Sequence, residues 1–192
     1  MERNVGPQFS CTVDGDGPPM GDMRTRFVTW NVNGIADSSD GSMNSKRMEL
    51  EQYITTLTNN HGVIHLIFLQ ETWLQCDDGI DMPNYEWLGR NRTKVDPDAQ
   101  RGSGGIGVLV HTSIAPRVSV ISRPTHGGSE GVMWIKVMHD SANTFDVFCN
   151  FYLEQQRQMF PVDNKQLMDG IITDWKKLSQ ASNAFILGDF NT

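Results

Sequence analysis

Val63-Ile64-His65-Leu66-Ile67-Phe68-Leu69 is a continuous apolar run broken by one histidine, and it opens directly onto Gln70-Glu71-Thr72. The run is too short to span a membrane and lacks the strict alternation of a strand with one wet face. It therefore predicts a strand buried on both faces, which needs structure layered on either side of it. A carboxylate immediately behind such a strand lies at the rim of a sheet.

The flanking sequence supplies the layers. Upstream, Leu50, Tyr53, Ile54 and Leu57 fall on one stripe of a helix predicted from about Asn44 to Thr58. Before it, Phe27-Val28-Thr29-Trp30 is a short β-branched and aromatic run closed by the turn-forming Asn33-Gly34. Downstream, a stretch rich in Asp, Gly, Pro and Asn reads as a long loop from about Gln75 to Ser103. Four β-rich runs follow, Ile106–Val110, Val118–Ile121, Val132–Val137 and Phe145–Phe151, separated by Pro, Gly, Ser and Asn. A second helix is predicted over about Asn164–Leu178, with Leu167, Ile171, Ile172, Trp175 and Leu178 facing inward. Ala184–Leu187 is a last buried strand, delivering Gly188-Asp189-Phe190-Asn191. This order predicts a mixed α/β layered protein, two sheets face to face with a helix outside each. Periodicity alone leaves a single mixed sheet open.

Residues 1–22, with four Gly and three Pro and no period, read as a disordered leader, leaving 23–192 for one domain. Hydrophobic content of 38% and charged content of 20% are those of an ordinary globular chain. With no apolar span and no secretory h-region, a nuclear or cytoplasmic monomer without a membrane partner is expected. Cys11, Cys76 and Cys149 are too few and too scattered for a disulfide framework or a zinc site, and Cys149 reads as a small buried hydrophobe. The net charge of −7 argues against binding nucleic acid through bulk electrostatics. A local basic rim of Arg90, Arg92, Lys94 and Arg101 would offset it, or is simply a solvated loop.

Polar residues gather where apolar strands end. Asn31 and Asn33 follow the first, Gln70, Glu71 and Thr72 the second. Asn150 and Tyr152 end the long β run, and Asp189 and Asn191 follow the last. Singly, each is a common turn or cap residue. Together, Glu71 and Asp189 with Asn carbonyls make the oxygen-only surroundings that Mg²⁺ prefers, and no His/Cys cluster competes. Cation, water-orienting carboxylate, amide and phenol are the parts that phosphodiester hydrolysis requires.

Thr29-Trp30-Asn31-Val32-Asn33-Gly34, Leu69-Gln70-Glu71-Thr72-Trp73, the 104–110 run Gly-Gly-Ile-Gly-Val-Leu-Val, Asn150-Phe151-Tyr152 and Gly188-Asp189-Phe190-Asn191-Thr192 occur in the order found in the endonuclease/exonuclease/phosphatase superfamily, which the chain resembles over residues 26 to 192. Gln70-Glu71-Thr72 is similar to the apurinic-endonuclease and LINE-type retrotransposon branches. Asn33, where apurinic endonucleases carry Asp, and Arg101-Gly102-Ser103-Gly104-Gly105 look like the retrotransposon branch.

The resemblance implies a four-layer α/β/β/α sandwich and a Mg²⁺- or Mn²⁺-dependent phosphodiesterase. It makes Glu71 the principal metal ligand with Asn31 beside it. Asp189 would activate the water, Asn191 bind phosphate and Tyr152 support the scissile phosphate, with Asn33, Arg101 and Asn191 contacting substrate. DNA is the implied substrate, nicked by an enzyme linked to a reverse transcriptase in a longer polyprotein. Abasic DNA, a phosphoinositide or sphingomyelin are the alternatives, as is an inactive fragment.

Two departures from the family pattern stand out. Leu153-Glu154-Gln155 replaces the usual small residue and Pro after the Tyr, and Glu154 repels phosphate unless it points away. The family also carries a Ser-Asp-His motif after further strands, which this chain does not reach, so the sandwich is expected to be incomplete at its C-terminus and the chain inactive by itself. His61, His65, His111, His126 and His139 are expected to be ordinary surface or core histidines.

Overall fold

The computed structural model describes residues 25–35, 45–91, 104–121, 131–139, 144–153, 164–178 and 180–189. The leader over 1–22, Cys11, Arg92, Lys94, Arg101, His126, Glu154, Gln155 and Asn191 lie outside them.

The apolar run becomes β2 (Leu66–Gln70), buried at every position. It is flanked by β1 (Phe27–Asn31), which pairs with it in parallel, and by β4 (Ile106–His111), which pairs antiparallel. A fourth strand, β3 (Tyr85–Arg90), closes the sheet in the order β1-β2-β4-β3. It corrects the long loop read over Gln75–Ser103. β3 is a half-exposed edge whose placement depends on pairing with β4: Trp87 lies across Gly89 and Gly107, and a Cβ at either glycine would run into the indole.

The second sheet is β5 (Val118–Ile121), β6 (Val132–Met138), β7 (Phe145–Tyr152) and β8 (Asn183–Asp189), in that order, with only β7–β8 parallel. There are thus two mixed sheets, not one.

Three apolar layers hold the sandwich together. Helix α1 (Ser45–His61) buries Leu50, Ile54 and Leu57 against Val28, Trp30, Ile67 and Leu69 on the outer face of the first sheet. It stops at Gly62, whose φ of 80° is the left-handed conformation that ends helices. Helix α2 (Asn164–Lys177) covers Trp134, Val147, Cys149 and Ile186 on the outer face of the second. Its inward stripe differs from the expected one. Gly170, Ile171, Asp174 and Leu178 are buried, whereas Ile172 (39% exposed) and Trp175 (47%) face outward. Counting apolar residues alone could not assign Gly170 and Asp174 to a core-facing stripe. As expected, Cys149 is a buried hydrophobe, its thiol pKa pushed up by burial and then by the Asp174 charge.

The third layer lies between the sheets. Strand alternation sends Phe27 and Thr29 of β1, Leu66, Phe68 and Gln70 of β2, Phe148 and Tyr152 of β7, and Phe185 and Leu187 of β8 into it. Among the described residues no helix is long and apolar enough to cross a membrane.

Candidate active site

The ends of β1, β2 and β8 converge at one rim. Asn31, at the end of β1, directs its side-chain nitrogen at two carboxylates: Nδ2 donates to Glu71 Oε1 at 2.8 Å and to Asp189 Oδ2 at 2.6 Å. Glu71 directly follows a strand of the first sheet and Asp189 ends a strand of the second, so this one amide spans both. The Asn33 backbone N–H donates to Asn31 Oδ1 at 3.0 Å and sets the amide's orientation.

Backbone pairing continues past the strands and holds these loops. Val32, Gly34 and Ile35 donate to the carbonyls of Gln70, Glu71 and Thr72, and Thr72 and Trp73 donate to Gly105 and Gly104. The continuation comes with unusual dihedrals. Asn33 (φ 49°), Glu71 (φ 52°) and Trp73 (φ 60°) all adopt the left-handed region without being glycine. Such residues cost of order 1–3 kcal/mol each and persist where surrounding structure dictates them. At Glu71 the local conformation is thus dictated by its neighbours. Gly34 is required as well, since a Cβ there would strike the Trp73 ring.

Tyr152 pairs in register with Asp189 and is 8% exposed, its ring packed with the inter-sheet core. The structure thus gathers Asn31, Asn33, Glu71, Tyr152 and Asp189, while Arg101 and Asn191 are not among the described residues.

The described histidines lie elsewhere. His139 Nε2 is 3.0 Å from Asp146 Oδ2, a histidine–aspartate pair, but Asp146 sits at the opposite end of β7 from Tyr152. Six residues of extended strand place that pair roughly 20 Å away. His65 and His111 also lie at that far end, at the start of β2 and the end of β4. Burial, then the positive charge of Arg26, His111 and Arg117, holds the His65 pKa below its ordinary value, and burial lowers that of His111.

The Glu71 and Asp189 carboxylates fit a hard divalent cation, whereas Asn31 presents its N–H₂ group to them and its one ligating atom, Oδ1, accepts from the Asn33 N–H. Two carboxylates share one N–H₂ group, so their oxygens lie no further apart than those two bonds together allow. That arrangement calls for positive charge between them. Two carboxylates with retained waters are an oxygen set that Mg²⁺ sites use. Among the described residues no cluster of three or more His, Cys, Asp or Glu offers a competing site.

Buried polar groups just beneath the rim were not singled out as functional by their sequence. Gln70 (2% exposed) and Asn150 (0%) join side chain to side chain across the sheets at 2.6 Å. Their strand-end positions were the available signal, and their partnership was not.

The profile of the Endonuclease/Exonuclease/phosphatase family matches residues 28–192. The chain belongs to this family. The endonuclease/exonuclease/phosphatase fold recurs in solved structures at low identity. The human Nocturnin catalytic domain is 13% identical with a TM-score of 0.53, covering 88% of this chain and 64% of that domain. An endonuclease/exonuclease/phosphatase from Bacteroides vulgatus is 15% identical with a TM-score of 0.53, covering 90% and 67%. Humanized D. rerio TDP2 is 14% identical with a TM-score of 0.47, covering 88% of this chain. The chain spans 63% of the TDP2 structure and 64% of the Nocturnin domain. No curated protein matches the sequence.

Proposed function

We propose that this chain carries the carboxylate half of a metal-dependent phosphodiesterase site, acting on DNA as the nicking endonuclease of a non-LTR retrotransposon. The supporting observation is the Asn31 amide held between Glu71 and Asp189 at 2.8 and 2.6 Å, behind three strands from two sheets. Glu71, with Asn31 once its amide turns to present Oδ1, would hold Mg²⁺ or Mn²⁺, which when bound neutralises phosphate oxygens and acidifies a coordinated water. Asp189 takes up or orients the water proton. Tyr152 supports the phosphate, and Asn33, Arg101 and Asn191 contact the substrate. The retrotransposon assignment rests on Asn33 and the Arg101–Gly105 lead, and implies a reverse transcriptase partner.

Purified protein would be incubated with supercoiled plasmid, abasic duplex and phosphoinositide vesicles, with and without Mg²⁺, while Mn²⁺ binding is measured by calorimetry. Nicking of plasmid, however slow, with loss of Mn²⁺ binding in Glu71→Gln, supports the reading. Phosphate release from the lipid with intact plasmid would shift the assignment to a phosphoinositide phosphatase. An absence of divalent-cation binding would sink it.

A further inference from the structure

The layer between the sheets changes chemistry along its length, in step on four strands. β1 runs Phe27-Thr29-Asn31, β2 Leu66-Phe68-Gln70, β7 Phe148-Asn150-Tyr152 and β8 Phe185-Leu187-Asp189, each ending polar at the same rim. One step below the carboxylates the amides form a closed set. Gln70 Nε2 donates to Thr29 Oγ1 at 2.9 Å and to Asn150 Oδ1 at 2.6 Å. Asn150 Nδ2 donates to the Leu69 carbonyl at 3.1 Å and the Gly107 carbonyl at 2.9 Å. Both hydrogens of each amide are thereby used, although both residues are almost completely buried.

We propose that Asn150 is a positioning residue, which with Gln70 locks the two sheets at the separation where Glu71 and Asp189 both reach the Asn31 amide. The inference rests on reading those two carboxylates as one site.

The geometry supports a role in register. Leu69 and Gly107 are register partners on β2 and β4, so Asn150 is anchored to two strands of the opposite sheet at once. A slide of one sheet over the other would leave buried amide hydrogens unpartnered, whereas an apolar contact would tolerate it. The connections to the site are short. Glu71 follows Gln70 directly, and Tyr152, two residues after Asn150, pairs with Asp189. Small displacements at the clamp would therefore appear undiminished at the carboxylates. A hydrocarbon pair could fill the same space, so the amides add directionality more than cohesion.

The test uses the whole 192-residue chain. Hydrogen exchange of the Asn31 side-chain amide, followed by NMR, reads the convergence of the two carboxylates without metal; Mn²⁺ affinity reads it with metal. In Asn150→Leu the Asn31 amide is expected to exchange at least tenfold faster and Mn²⁺ to bind at least tenfold more weakly, in a chain with retained circular dichroism. Ile135→Val, in the same inter-sheet layer, should lower the melting temperature and move neither readout. A folded Asn150→Leu chain with both readouts within twofold of the parent overturns the proposal. Should Asn150→Leu not fold, Gln70→Met leaves the two carbonyl bonds of Asn150 in place. It should shift both readouts at least threefold, and no shift overturns the proposal equally. A parent chain that binds no Mn²⁺ removes the metal reading of the site, while the Asn31 exchange rates still decide the positioning role.

Discussion

The two ends of the inter-sheet layer are built from opposite materials. Below the rim Phe148 stacks on Phe185 at 4.8 Å and on Phe68 at 5.4 Å, and Phe27 meets it edge-on at 5.1 Å. At the rim Thr29, Gln70, Asn150, Asn31, Glu71 and Asp189 are joined by directional hydrogen bonds. Ring burial contributes about 1.5–3 kcal/mol per side chain but accepts small slides, because dispersion and the hydrophobic effect have little direction. Amides contribute less net free energy and admit almost no slide. Cohesion is therefore concentrated at one end and geometry at the other.

That division can be broken from either side. Phe148→Ala should have the largest effect, costing about 3–5 kcal/mol in urea unfolding, with Mn²⁺ affinity of the remaining folded chain changed less than threefold. A collapse of affinity there would show that the aromatic end also sets the site. Glu71→Gln should act conversely. A tenfold or greater loss of Mn²⁺ affinity corresponds to about 1.4 kcal/mol or more, with thermal stability unchanged or raised as two neighbouring carboxylates become one.

A smaller effect is expected from pH at the far end. Since burial and then Arg26, His111 and Arg117 lower the His65 pKa, the unfolded chain binds that proton more readily. The stabilising contribution is complete above the ordinary value of 6.5 and is lost as pH falls below it. The urea midpoint should drop between neutral pH and pH ~5, and the drop should shrink in His65→Gln. A flat profile would remove His65 from the account. Last, Trp175→Ser on the outward face of α2 should change stability by no more than about 0.5 kcal/mol. A larger loss would mean that this side chain is covered.

Legibility followed the same division. β2, β5 and the helix cores of α1 could be read because local periodicity reports burial directly. β3 could not, since Trp87 needs Gly107 of another strand beneath it. The outward turn of Ile172 and Trp175 was hidden because an apolar residue beside a buried stripe looks like a member of it. Asn31, Glu71 and Asp189 were legible as polar residues behind apolar strands, yet the clamp under them was not. Gln70 and Asn150 are 80 positions apart, and nothing local marks either as the other's partner.

Short-range pattern and residue type were enough to specify the strands and helices other than β3, the family and the polar residues at the strand ends. It took the packed molecule to show that two sheets rather than one hold those ends, that the amide of Asn31 joins carboxylates from both, and that Asn150 reaches across to the opposite sheet. Those facts depend on where distant strands lie relative to one another. That placement follows from packing whole faces together, which no local stretch encodes.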